Sequence, residues 1–169
     1  MSTQVVVNTY AHSVTYVTDK MLTSLKNIIR WIGLDPSRFV NDWSSTETAV
    51  KTWLGSRDLV GMMLEIFNPT TDKLVTRWDF AIDYSYSTNG EGSMWVDTDA
   101  IRHAILKCGV IPSSCNYRVL IQTKPGRPDV PGWGPTTPRS TAGFVMQAVG
   151  TTIGTQSMGA QTIYWRKKQ

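Results

Sequence analysis

The sequence has little of what enzymes and metal proteins use. Its 169 residues include two cysteines and two histidines, with no CxxC and no histidine at ligand spacing. The fingerprints GxxxxGK[ST], GxGxxG, HExxH and GxSxG are all absent. These absences exclude the enzyme and metal-site classes that such motifs mark. We therefore expect no catalytic residues, no cofactor and no metal.

Long apolar runs are also missing. No stretch approaches the roughly 18 uninterrupted apolar residues of a membrane span, and the N-terminus lacks the pattern of a signal peptide. Together with the scarcity of cysteine, this predicts a cytoplasmic protein without a membrane partner. Cys108 continues an apolar helical stripe, and neither it nor Cys115 has the basic surroundings of a nucleophile, so both thiols are expected to be inert.

Charge is in modest excess. The net charge is +4, and part of it lies in the closing "WRKKQ". An alternative function is therefore a basic nucleic-acid-binding module with tryptophan and tyrosine rings as stacking platforms, although direct nucleic-acid binding is not our main expectation. The weakest alternative is an enzyme built on Asp99 and His103, four apart on a predicted helix, whose ordinary interpretation is a surface contact.

Apolar residues at helical spacing open the chain. Val14, Val17, Met21 and Leu25 begin a stripe that predicts a helix capped by Ser13 and ended by Gly33. A second helical region is expected from Pro36 to Leu54, broken near "WSST", with a capping box from Ser44 to Glu47 and a stop at Gly55. At this length the chain is expected to form one domain.

The period then changes to that of strands. "LVGMMLEIF" and "LVTRWDFAIDYSY" predict a hairpin, Asn89-Gly90 a tight turn, and "SMWV" a third short strand. A helix opening at Asp97 or Thr98 and ending at Gly109 precedes the strand "YRVLIQT". "FVMQAVG" and "QTIYWRK" predict two final strands. This order indicates an α+β fold with a largely antiparallel sheet.

One irregular segment interrupts these elements. Thr123 to Phe144 holds five of the eight prolines, which cannot pair continuously in a sheet. In polyproline geometry its 22 residues would reach about 70 Å, further than the roughly 40 Å diameter of such a domain. We interpret the segment as a movable strap that closes over a ligand on the sheet; the alternative is a long surface loop. Trp133, between two glycines, either latches this strap or fills a groove without moving.

Several stretches resemble one family. "HSVTYVTDKMLTSLKNIIRWIGLDPSRF", "VKTWLG", "LEIFNPTTDKLVTRWDF", "TKPGRPDVPGW", "RST" and "YWR" are similar to bacterial HORMA-domain proteins of anti-phage cyclic-oligonucleotide (CBASS) signalling operons. The resemblance covers nearly the whole chain. It implies a single HORMA-like domain with an N-terminal segment (1–13), a core of about three main helices on an antiparallel sheet (14–123), and a safety belt with terminal strands (124–169).

The resemblance also implies a function. Members of this family are adapters whose belt closes around a closure-motif peptide, which adds to the sheet as a strand. The closed protein binds and activates a cyclic-oligonucleotide synthase, and an AAA-type ATPase reopens it by pulling the N-terminus. Some operons add a second HORMA-like protein that supplies the closure motif; the long intact arm favours a functional belt here. The expected peptide-binding residues are Tyr117, Arg118, Val119, Leu120, Ile121, Gln122, Thr123, Trp133, Phe144 and Val145.

Overall fold

The computed structural model describes residues 9–88 and 94–168. In this part of the chain there are four helices and six strands. The helices are α1 (Thr9–Trp31), α2 (Ser37–Asn41), α3 (Trp43–Gly55) and α4 (Thr98–Lys107), and the strands are β1 (Leu59–Phe67), β2 (Leu74–Asp83), β3 (Trp95–Val96), β4 (Asn116–Thr123), β5 (Phe144–Gly154) and β6 (Gly159–Lys167).

Helix α1 is the central element of the core. Val17, Met21 and Leu25 of the predicted stripe are fully buried. The helix ends as expected, because Gly33 takes a positive φ of 93° and Leu34 N–H donates back to the carbonyl of Ile29 at 3.0 Å. The predicted cap at Ser13 is wrong: α1 begins at Thr9, so Ser13 lies within the helix.

The second helical region is broken, as predicted, but earlier than expected. Helix α2 ends at Asn41, and α3 begins at Trp43 and ends at the predicted Gly55. The capping box from Ser44 to Glu47 is wrong, because Ser44 already lies inside α3. In α4, by contrast, the side chain of Asp97 accepts a hydrogen bond from Ala100 N–H at 3.0 Å, as an N-cap should.

The six strands form one antiparallel sheet in the order β3-β5-β6-β2-β1-β4. A strand forms in each predicted stretch, but β2 ends at Asp83 rather than Tyr86, β3 is only Trp95–Val96, and β5 extends beyond its predicted end. A register shift in β1 falls between Leu59 and Gly61, where a Cβ on Gly61 would lie 2.3 Å from the carbonyl oxygen of Phe80. Asn89-Gly90 lies outside the described residues.

The hydrophobic core lies between one face of this sheet and the helices. Leu64 and Ile66 of β1, with Trp78 and Phe80 of β2, are fully buried in the same cluster as α1. Three longer helices and the short α2 thus cover one face of an antiparallel sheet, which confirms the α+β class. The opposite face carries polar side chains such as Asp79, and the segment between β4 and β5 reaches it.

Candidate functional site

Strand β4 forms one margin of the sheet. It pairs with β1 from Phe67↔Asn116 to Leu59↔Thr123, and no other strand of the described residues lies beside it. An unpaired strand margin presents backbone donors and acceptors to whatever lies next to it. The partners of these donors and acceptors therefore determine whether β4 can accept another strand.

Two hydrogen bonds decide which β4 residues face outward. Asn68 N–H donates to the carbonyl of Lys73 at 2.9 Å across the β1–β2 hairpin, and Lys124 N–H donates to Asp58 at 2.8 Å. Successive residues of an antiparallel strand bond alternately to one neighbouring strand and to the other. Asn68 bonds towards β2, so Phe67 bonds towards β4, where its partner is Asn116. Asn116 at one end and Lys124 at the other thus both bond towards β1, and so do the even-numbered residues between them. The odd-numbered residues, Tyr117, Val119, Ile121 and Thr123, turn their backbone groups to the open side.

The segment Lys124–Gly143, which we name the strap, begins on the helical side of this margin. Trp53 Nε1 of α3 donates to the carbonyl of Pro128 at 2.7 Å, and Val130 is buried in the core cluster. Gly132 then turns with a φ of 88°. Trp133 meets Trp53 edge to face, with ring centroids 6.2 Å apart and planes at 81°. Trp133 is thus an anchor between strap and helix layer.

The strap then reaches the other face of the sheet. The guanidinium of Arg118 donates to the carbonyl of Thr137 at 2.7 Å and to Thr136 Oγ1 at 3.3 Å. Arg139 follows, and its guanidinium lies over the ring of Phe67. The strap therefore passes around the β4 margin from the helical side to the opposite face before it enters β5.

Glu65 holds the strap on that second face. Its side chain is fully buried; Oε1 accepts from Arg118 Nε at 2.6 Å and from Arg139 Nη1 at 2.7 Å, while Oε2 accepts from Arg139 N–H at 2.6 Å. Burial alone raises the pKa of Glu65, but the hydrogen bonds from the two arginines outweigh it and leave the pKa below its usual range. The carboxylate is therefore ionised at neutral pH and clamps strand to strap.

Two cavities lie between the strap and β4. One, of about 380 Å³, is lined among others by Trp53, Met63, Val119 to Thr123 and Pro138. The other, of about 450 Å³, is bordered by Arg38 and Phe39 of α2, and Val119 and Trp133 border both cavities. The two cavities therefore lie along the open margin of β4, one on each side of Trp133. The indole Nε1 of Trp133 is buried and has no hydrogen-bond partner in the described chain.

The structure brings together most of the predicted site residues. Tyr117 to Thr123 all lie on β4, and Trp133 faces the strand from the strap. Phe144 and Val145 are not at this margin: they pair with Lys167 and Arg166 at the start of β5, and β6, β2 and β1 separate them from β4. The reason is that the final hairpin docks on β2, at the far side of the sheet.

Sequence reasoning missed three residues of the site. Trp53 and Arg139 lie within stretches that carried the family resemblance, but nothing there indicated their contacts. Glu65 offered a signal that was overlooked, since it is the only charged residue in the apolar strand "LVGMMLEIF". A carboxylate on such a strand needs cationic partners from elsewhere in the chain.

The residues considered for catalysis lie away from the strap. Asp99 and His103 are exposed on α4. Burial raises the pKa of both thiols, Cys108 and Cys115, which disfavours the reactive thiolate. Among residues 9–88 and 94–168, none of the helices combines the length and the apolar composition that a membrane crossing requires.

Solved structures share this fold. A chain of the Mitotic Checkpoint Complex superposes with a TM-score of 0.76 at 11% identity, over 93% of this chain and 99% of that chain. Caenorhabditis elegans HTP-2 bound to the HIM-3 closure motif gives 0.66 at 9% identity, over 99% and 100%. The Escherichia coli MS115-1 CdnC:HORMA-deltaN complex gives 0.64 at 10% identity, over 99% and 94%. No curated protein sequence matches the chain.

These likenesses establish the HORMA fold. The chain belongs to the family Bacterial HORMA domain 2, whose sequence profile matches residues 2–168. The resemblance drawn from the sequence to bacterial HORMA-domain proteins is thereby confirmed.

Proposed function

We propose that this protein is a non-catalytic adapter that captures an extended closure-motif peptide as an additional strand on β4, beneath the strap. In this state it binds and activates a cyclic-oligonucleotide synthase in anti-phage defence. The peptide contacts lie along Tyr117 to Thr123 and at Trp133. Phe144 and Val145 are left out because they lie on β5.

The open margin of β4 is the observation that carries this proposal. Strand addition draws affinity from main-chain hydrogen bonds and specificity from pockets for alternate side chains. Val119, Ile121 and Thr123 supply the outward backbone groups, and the two cavities supply the pockets. A carbonyl of the bound segment would also satisfy the buried indole N–H of Trp133.

Capture requires the strap to move. The contacts that fasten it are made largely by side chains, above all Trp133 against Trp53 and Arg139 with Glu65. These contacts can break without disturbing the strand ladders. Since the strap must detach and re-seat, we expect slow peptide association and slower release.

The proposed partners follow from the family and its relatives. HTP-2 is bound to a closure motif, and a bacterial HORMA protein is in a complex with CdnC. For this chain we propose a synthase partner, an AAA-type ATPase that acts on residues 1–13, and a second HORMA-like protein as one source of the closure motif. All of these encounters are proposed to take place in the cytoplasm.

A single proline tests the proposal. In Ile121→Pro the outward N–H of Ile121 is removed while the β1 ladder, which uses its neighbours, keeps its donors. Wild-type protein should select extended peptides from a displayed random library, and Ile121→Pro should bind the selected peptide at least tenfold more weakly by calorimetry.

Ile121→Val is the matched control, since it keeps both the backbone donor and a β-branched side chain. Its peptide affinity should stay within about twofold of wild type, and thermal melting should show that both variants fold. Equal peptide affinity of folded Ile121→Pro and wild type would rule out strand addition at β4.

The nucleic-acid alternative finds less support. All seven tryptophans and six tyrosines lie in the described residues, and every one of them is buried or half-buried. Lys107, Arg166, Lys167 and Lys168 do border a groove of about 760 Å³ at the end of β6, but without an exposed ring for base stacking. If the protein binds neither DNA nor RNA at low salt, this alternative is ruled out.

A further inference from the structure

At one end of the open β4 margin, the outward backbone groups are already hydrogen-bonded to side chains of the protein itself. Tyr117 is the first outward-facing residue of this margin, and both of its backbone groups are already satisfied. Its N–H donates to Asn116 Oδ1 at 2.8 Å, and its carbonyl accepts a hydrogen bond from the guanidinium of Arg38. A strand lying beside β4 therefore finds neither a free donor nor a free acceptor at Tyr117 unless these side chains are displaced.

Arg38 is held in this position by several contacts. Its guanidinium lies over the ring of Tyr117, 4.5 Å from the centroid. The Tyr117 hydroxyl donates to the carbonyl of Asp35 at 2.8 Å and lies 3.4 Å from Phe39 N–H, which donates to it. The start of α2 is thus fastened to the start of β4. No carboxylate within the described ranges forms an ion pair with Arg38.

The other end of the margin is closed by the chain itself. Lys124 N–H donates to Asp58, and Pro125 has no N–H to offer. Between the two closures, the outward groups of Val119, Ile121 and Thr123 have no partner in residues 9–88 and 94–168. The free length is therefore five residues, about 13 Å at strand geometry.

We propose that Arg38, with Asn116, determines the register and length of the bound peptide by closing the margin at Tyr117. This inference rests on the proposed function. The ligand is an extended segment that pairs over Val119 to Thr123. Proline is excluded at its pairing positions, where an N–H must be donated, and is tolerated opposite Tyr117, where the side chains of Arg38 and Asn116 occupy the backbone groups.

The closure can be tested without any ligand. Hydrogen exchange of the peptide-free protein should be fast for the amides of Val119, Ile121 and Thr123. It should be slow for Arg118, Leu120 and Gln122, which bond to β1, and slowed for Tyr117. In Asn116→Ala the Tyr117 amide alone should become fast. Equal exchange at Tyr117 in wild type and Asn116→Ala would overturn the closure, whatever becomes of peptide capture.

Register is tested with the best binder from a random 12-residue library displayed on phage. In a proline scan against wild type, substitutions at pairing positions should abolish binding, and a proline opposite Tyr117 should change affinity less than twofold. In Arg38→Ala the freed carbonyl can accept from the ligand, so that proline should weaken binding about fivefold, as loss of one hydrogen bond does.

Arg38→Lys keeps a donor for the Tyr117 carbonyl and should give the wild-type result in the proline scan. Arg102→Ala removes an arginine of α4 and should leave both peptide affinity and the proline scan unchanged. Melting curves confirm that each variant folds. A proline opposite Tyr117 that weakens binding equally in wild type and Arg38→Ala would overturn the proposal. Failure of the library to yield any binder contradicts peptide capture instead, and the exchange experiment still decides whether the margin is closed.

Discussion

Two neighbouring parts of the C-terminal third are fastened in opposite ways. Strand β6 lies inside the sheet, with backbone ladders to β2 on one side and β5 on the other. The strap has no such ladder; it is held by Trp133 against Trp53, by buried Val130, and by Arg139 at Glu65. This difference supports the proposal that the strap detaches while the sheet stays folded, because contacts without a backbone ladder are the first to open.

The largest effect is expected from disrupting the packing between β2 and β6 inside the sheet. Trp78 of β2 is fully buried and stacks on Tyr164 of β6, with centroids 4.9 Å apart. Trp78→Ala should lower the free energy of unfolding by about 3–5 kcal/mol, measured by urea denaturation. Trp78→Phe should cost clearly less, and an equal cost for both variants would contradict a packing origin.

A smaller effect, confined to the strap, is expected from removing its clamp. Glu65→Ala leaves the guanidinium groups of Arg118 and Arg139 without their shared carboxylate, so strap opening should become easier by about 2 kcal/mol. Limited proteolysis should then cleave within residues 125–142 faster than in wild type, while the global unfolding transition is retained.

Asp72→Ala is the matched control for that experiment. Asp72 also pairs with Arg139, at 2.6 Å, but its side chain is 75% exposed, and exposed pairs contribute little. Its strap should be cleaved at nearly the wild-type rate. If both variants accelerate cleavage equally, the buried carboxylate is not the principal fastening.

The smallest effect near neutrality concerns pH. The pKa of Glu65 is lowered in the folded protein, because the arginine hydrogen bonds outweigh burial. Its contribution to stability is therefore present above the unfolded value of about 4.3, and it is lost as the pH falls through the lower folded pKa. Urea unfolding at pH 7 and pH 5 should give nearly the same contribution from Glu65.

Below pH 4 the wild-type protein should lose this part of its stability, and Glu65→Gln should not show that loss because it cannot ionise. Comparison of the two proteins at pH 7, 5 and 3 isolates the carboxylate from the other acidic groups. Parallel stability profiles for both proteins would contradict the clamp.

Local pattern was enough to predict most of the fold. The apolar stripe through Val17 and Leu25 predicted α1, and the alternation of apolar and polar residues predicted the β1–β2 hairpin. The ease with which glycine takes a positive φ predicted the end of α1 at Gly33. The prolines of the strap excluded it from the sheet. Capping was less predictable: Ser13 and Ser44 match cap chemistry, yet packing of the flanking residues extends both helices past them.

The site was predicted only where it coincides with one element. The sequence of β4 predicted a strand with alternating faces, but nothing local shows which of its margins is open. Glu65 meets Arg139 across 74 positions of sequence. Phe144 and Val145 were expected at the peptide and lie on β5, because the docking of the final hairpin on β2 depends on long-range pairing.

The path of the strap has one further consequence. Both of its ends continue into strands of the same sheet, β4 and β5, so strap and sheet together form a closed ring around the β4 margin. A peptide segment bound inside that ring would pass through it, enclosed between the strap and β4. If folded domains flank the segment on both sides, it cannot slide out, and its lifetime is set by the opening of the ring rather than by its own affinity.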